Sequence, residues 1–322
     1  MQVIFDKRWN GPHGIGRYSR EVLRRLAIPH ESLKLRSRAG SPRDLLTARP
    51  GGSKRLVYSP GYNAGPGGYQ LVTVHDLIHL RHGSVKHRLY YERVLRPAIH
   101  RIGRVVTVSE TSRLEIEEWL ADPSVVVHNA GNGCSIEFRP IATSRLPDTI
   151  LYVGNLKPHK NVDVVLRALK LASDVRLVTV TPDPSAMRRL AEMHAVGRRV
   201  TCESMLSDAE LARRYNSVAA TVVPSVVEGF GLPAVESLAC ATPVVYWAGC
   251  TSVAEIVGRD GIAVDDSQDA EGWAVAFRAA CSASVAVRAP ATARYDWNTV
   301  AGGVGEAIRQ AQRDVQRWSG IE

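Results

Sequence analysis

Residues 149–180, TILYVGNLKPHKNVDVVLRALKLASDVRLVTV, decide the fold. Two short apolar runs, TILYVG and VRLVTV, flank a stretch from Asn161 whose apolar residues recur at helical spacing, so the segment reads as strand, loop, helix, strand. Apolar runs without alternation belong to buried parallel strands, which need helices on both faces of their sheet. Downstream the rhythm repeats through a helix near Met187, VTCES, a helix from Asp208, ATVVPS, VESLACA, PVVYW, SVAEIV and GIAVD. Upstream come the Gln2–Phe5 run, a glycine-rich turn, SREVLRRL, LVYS, LVTV, a basic helical stretch from about Val85 to Arg104, VVTVS, a helix capped by Ser109, and VVVHN. Pro140 to Pro147 reads as a linker.

The expected architecture is therefore α/β, with two doubly wound Rossmann-like domains. Residues 1–145 form the first and 146–300 the second, while 301–322, in the amphipathic stretch Trp297 to Trp318, cross back to the first. A chain of 322 residues suits two domains of about 150 residues each. Its 45% hydrophobic and 23% charged residues exclude disordered, collagenous and disulfide-scaffold classes. Five cysteines, none in CxxC spacing, fit reduced thiols better than a zinc site, and the N-terminal stretch has no signal-peptide pattern, so a cytoplasmic protein is expected. The net charge of +9 is uneven: residues 1–145 hold 23 of the 41 basic and 12 of the 32 acidic side chains. Zinc-finger spacing, an aromatic RNP-like run and a reading helix are all missing, so nucleic acid is not the expected partner.

In open α/β sheets ligands bind beyond the carboxyl ends of strands, and five strand-end loops stand out. NGPHGIGRY brings Gly14, Gly16 and Arg17 to the start of a helix, where a phosphate or sugar can approach backbone, although it is a poor dinucleotide fingerprint. VTVHDLIHL ends a strand at His75 and Asp76, and a neutral imidazole there can bond a substrate hydroxyl; His79 reads as an ordinary histidine. VGNLKPHKN carries Asn155, Lys157 and Lys160, the last near a helix start suited to a diphosphate. PSVVEGFGLPAVESLAC sets Glu228 in a loop and Glu236 in the first turn or so of a helix, with the amides of Gly229, Phe230, Gly231 and Leu232 between them. In WAGCTSVAEIVG, Thr251 or Ser252 is a candidate cap and Glu255 its capping-box partner.

VGNLKPHKN, followed about seventy residues later by PSVVEGFGLPAVESLACATPVV, resembles the retaining glycosyltransferases of sequence family 4, with the GT-B fold. GIGRYSREVLRRL, VTVHDLIHL, VVTVSETSR and VVHNAGNGCSIEFRP extend the likeness over nearly the whole chain. The resemblance implies a cleft between the two domains and transfer of a hexose from a nucleotide-sugar donor, with GDP-mannose favoured over UDP- or dTDP-sugars. It implies that Glu228 contacts the sugar hydroxyls, Glu236 the ribose, Lys160 and the Gly229–Gly231 amides the diphosphate, and His75 the C6 hydroxyl. Gly14 and Gly16 would border acceptor and phosphates, and the acceptor would be a glycan, a lipid-linked or a small molecule. Asn155 departs from the family's usual arginine, for which Arg17 or Lys157 can compensate. With no DxD sequence, neither a metal nor another cofactor is expected. A sugar-nucleotide epimerase of similar two-domain fold is the alternative, with a basic nucleic-acid-binding protein well behind it. The basic stretch from Val85 to Arg104 suggests peripheral contact with an anionic membrane at its inner face.

Overall fold

The structure is a computed structural model. It describes all residues except Pro12, Ala48, 50–53, 283–294 and 319–322, with the backbone alone for Pro42 and His82. The chain divides into two compact units, Met1–Gly133 with Ala293–Glu322, and Cys134–Thr292.

In unit 1 the strands β1 (Gln2–Phe5), β2 (His30–Ser32), β3 (Arg55–Ser59) and β4 (Tyr69–Val72) form a parallel sheet in the order β2-β1-β3-β4. A parallel pair, β5 (Arg104–Thr107) and β6 (Val126–Asn129), continues it through a bridge from Thr73 to Val106. Val72, Val74, Leu95, Ile99, Val105, Ile116 and Leu120 form a hydrophobic core within it. The helix Trp297–Trp318 buries Trp297, Val300, Val304, Ile308 and Val315. It packs on the helix Gly14–Arg25 and is tied to β5 by an Arg104–Asp314 ion pair.

Unit 2 is more regular. Its six strands, β7 (Leu146–Val153), β8 (Arg176–Val180), β9 (Val200–Glu203), β10 (Val218–Val223), β11 (Val244–Trp247) and β12 (Gly261–Val264), are all parallel, in the order β12-β11-β10-β7-β8-β9. One face of the sheet packs Ile150, Val222 and Val245 against Val165, Leu166, Trp273 and Phe277. Leu151 and Val178 pack on Leu211 and Tyr215. Helices thus cover both faces, as buried parallel strands require.

The boundary falls at Gly133–Cys134, twelve residues ahead of the 145/146 division expected from the 140–147 linker. Phe138 is buried against Leu151, Leu211 and Tyr215, and the Ile141 N–H donates to Asn216 Oδ1, so the chain entering the supposed linker is fastened to unit 2, while residues 140–147 themselves are largely exposed. The basic stretch from Val85 is also not one regular helix. It runs as Val85–Tyr90, a π-helical turn at Tyr91–Leu95, and Arg96–Ile102, closed by Gly103 with φ +65°.

Candidate functional site

The strand order of unit 2 reverses between β7 and β10, which opens a crevice beyond their carboxyl ends. Lys160 follows β7 and Glu228 follows β10, and their side chains form an ion pair there, 17% and 12% exposed. The two loops are joined by backbone, since the Val226 N–H donates to the His159 carbonyl at 2.9 Å. Ser225 Oγ donates at 2.6 Å to Glu228 Oε1, the oxygen that also receives Lys160. Ser252 Oγ donates at 2.8 Å to the Glu228 carbonyl.

Beyond Glu228 the chain turns sharply at Gly231, whose φ of +110° only glycine tolerates, and enters the helix Leu232–Ala239. A Cβ at Gly231 would stand 3.1 Å from Val253 Cγ2. Glu236 lies in the second turn, 4% exposed, and Oε2 accepts a 2.9 Å hydrogen bond from the Tyr215 hydroxyl. Burial, reinforced by the Glu236 charge, pushes the Tyr215 hydroxyl well above its ordinary range, so it remains a donor. Burial, with the same carboxylates nearby, pushes the Cys240 and Cys250 thiols up to about 12 and about 11, which leaves both protonated.

Lys160 closes a single 3-10 turn, Pro158–Lys160, and Asn161, with φ +52°, separates that turn from the helix Val162–Leu171. Asn155 is used within its own turn: its Oδ1 accepts the Lys157 N–H at 3.1 Å and its carbonyl accepts the Tyr152 hydroxyl at 2.5 Å. The capping box expected at Thr251 or Ser252 does not form. The helix Thr251–Val257 has Cys250 as its N-cap with no side-chain cap bond, and the Ser252 hydroxyl is turned to Glu228 instead.

In unit 1, His13 caps the helix Gly14–Arg25, its Nδ1 accepting the Gly16 N–H at 3.1 Å. Gly16 is required sterically, because a Cβ would lie 1.9 Å from the Gly11 carbonyl oxygen. Arg17 is half-buried on the same first turn. His75 follows β4, packs edge-on against Tyr18 with ring centroids 4.9 Å apart, and places Nε2 2.9 Å from the Pro60 carbonyl. A carbonyl only accepts, so Nε2 carries the proton and Nδ1 of the neutral ring is an acceptor. Burial drops the His75 pKa to about 4 and keeps the ring neutral. A file of rings runs through the same strand-end region: His13 to Trp9 at 6.1 Å, Trp9 to Tyr62 at 5.3 Å, Tyr62 to His79 at 5.4 Å and His79 stacked on His87 at 4.8 Å.

Sequence reasoning missed Ser225, Tyr215 and this file of rings, and took Ser252 for a helix cap only. Ser225 could have been found three residues ahead of Glu228, but Tyr215 is 21 residues from Glu236 and only the fold brings them together. Among the described residues no three His, Cys, Asp or Glu side chains converge as a metal-binding group, and no helix is long and apolar enough to cross a membrane.

The two units have the architecture of GT-B proteins. Anabaena HepE, solved with UDP and glucose, superposes with a TM-score of 0.71 at 16% identity over 96% of this chain and 99% of that one. Sucrose-phosphate synthase from Thermosynechococcus elongatus gives 0.65 at 23% identity over 79% of this chain and 73% of that one. Residues 147–282 match the family Glycosyl transferases group 1. A D-inositol 3-phosphate glycosyltransferase of Rhodococcus opacus is 29% identical over 254 residues, 67% of this chain and 57% of that protein, so the chain spans little more than half the length of such curated relatives. The matched segment lies almost wholly in unit 2, and the chain as a whole is similar to glycosyltransferases with the GT-B fold.

Proposed function

We propose that the protein transfers a hexose, with retention and without a metal, from a nucleotide-sugar to a hydroxyl of a glycan, lipid-linked or small-molecule acceptor. The observation that carries this reading is the Lys160–Glu228 pair at the switch point of unit 2, with Glu236 buried behind it. The Lys160 ammonium neutralises charge that grows on the leaving diphosphate, aided by the amides of Gly229 to Leu232. Glu228 accepts bonds from sugar hydroxyls, and Glu236, oriented by Tyr215, takes the ribose. The bond from the anomeric carbon to phosphate oxygen breaks as that to the acceptor oxygen forms, and the acceptor proton passes to the departing phosphate. His75 offers Nδ1 to a sugar hydroxyl.

GDP-mannose remains the favoured donor and UDP- or dTDP-sugars the alternatives; the UDP bound by HepE supports a uridine nucleotide. The relatives' names support a phosphorylated small acceptor as one of the choices. A cytoplasmic location with peripheral contact to an anionic membrane is part of the proposal, because Val85 and Leu89 are 70% and 58% exposed beside the exposed Lys86, Arg88 and Arg93.

A thermal-shift panel of GDP, UDP, dTDP and ADP tests the donor site, since ligand at 100 times its Kd adds about 2.7 kcal/mol. The expected result is one nucleotide that raises Tm, and a Glu228→Ala variant that keeps its fold but loses about 10²- to 10³-fold in kcat. Unchanged turnover in that variant refutes the assignment.

A further inference from the structure

We propose that Lys160 is shared between two competing partners, Glu228 and the diphosphate of a bound nucleotide, so that Glu228 acts as the group that expels the spent nucleotide. This rests on the donor-site reading above. The competition follows from what is fixed and what is free. Glu228 cannot withdraw: its carbonyl is held by Ser252, its Oε1 by Ser225, and its loop is bonded to the loop of Lys160 through Val226 and His159. Lys160, by contrast, ends a flexible four-carbon stem and is the partner able to move. Both side chains are mostly buried, so solvent and salt screen their attraction weakly.

A nucleotide-sugar satisfies both halves of the broken pair. Its diphosphate takes the ammonium, and its sugar hydroxyls donate to the carboxylate left behind. After transfer the sugar is gone, and a nucleoside diphosphate offers nothing to Glu228. The carboxylate then draws Lys160 back, and the diphosphate loses its cation. One ion pair would therefore discriminate donor from product.

The test is titration calorimetry of UDP, GDP, ADP and dTDP, and of the nucleoside of whichever binds, on the full chain as wild type, Glu228→Gln, Lys160→Met and the double variant. Glu228→Gln is expected to bind the diphosphate about three- to tenfold more tightly than wild type, with the nucleoside unchanged. In the Lys160→Met background the same substitution is expected to add nothing. Equal or weaker binding by Glu228→Gln overturns the proposal. So does tightening that persists without Lys160, because that would be bulk repulsion between carboxylate and phosphate. If Glu228→Gln does not fold, Ser225→Ala replaces it: with one partner of Oε1 removed, Glu228 should hold Lys160 harder and the diphosphate should bind more weakly, and equal or tighter binding is the overturning result. Wild type that binds none of the four nucleotides refutes the donor-site reading itself, whereas binding without the Glu228 effect refutes only the competition.

Discussion

The two units put their strand-end loops to opposite electrostatic uses. In unit 2 each site group has a polar partner: Lys160 has Glu228, and Glu236 has Tyr215. In unit 1 the corresponding group, His75, is kept uncharged by burial and packs edge-on against Tyr18. A paired charge is a site already compensated for an arriving ion. A neutral imidazole beside aromatic faces suits an uncharged, hydroxyl-rich ligand. The strand-end loops thus differ in kind: an ion pair in one unit, a neutral imidazole against an aromatic ring in the other.

The hardest blow to unit 2 should come from Gly231→Ala. The left-handed backbone and the 3.1 Å approach to Val253 Cγ2 leave no unstrained place for a methyl group. We expect a loss of about 1–3 kcal/mol in urea unfolding, together with loss of any nucleotide-dependent rise in Tm. A variant with normal stability and a normal nucleotide response would show that the Glu228 loop is not held as rigidly as the comparison requires.

Unit 2 was legible where its residues are close in sequence and its strands are uniformly apolar. Lys160 and Glu228 stand in strand-end segments, and Glu236 in the helix that follows, where glycines and charges are close in sequence, and β7, β8 and β10 read directly as buried parallel strands. Unit 1 was less legible because its site region is assembled from short pieces. Trp9, Tyr62, His79 and His87 come from separate segments with no common spacing, and each alone looks ordinary. The unit boundary was misplaced for a related reason: Pro140 and Pro147 resemble linker punctuation, yet Phe138 and Ile141 are fastened to unit 2 by tertiary contacts that no local pattern announces. The Ser252 hydroxyl was read as a local cap because a bond to Glu228, 24 residues away, is invisible in spacing.

A smaller effect is expected at the surface of unit 1, where the excess basic charge lies. Val85 and Leu89 are one helical turn apart and exposed among Lys86, Arg88 and Arg93. In vesicle co-sedimentation, binding should be stronger to phosphatidylglycerol-containing than to pure phosphatidylcholine vesicles, by about 1 kcal/mol for each basic residue at the surface. The double variant Val85→Ser and Leu89→Ser should lower partitioning roughly tenfold. Equal binding to both vesicle types removes the membrane assignment.

The subtlest effect tests the neutral state of His75. Its folded pKa of about 4 lies below the ordinary value of 6.5, so between those two pH values the unfolded chain binds a proton that the folded chain refuses. Stability should therefore be level above pH 6.5 and fall as pH drops toward 4. His13 and His128 are also lowered by burial and the positive charge of nearby arginines, and add to the fall with the same sign. In urea titrations at pH 7, 6 and 5, His75→Asn should show a shallower decline than wild type, with the remainder left to His13 and His128. Parallel declines in the two proteins would mean that His75 titrates normally in the folded state, and unit 1 would then present a cation near neutral pH instead of the uncharged acceptor that distinguishes it from unit 2.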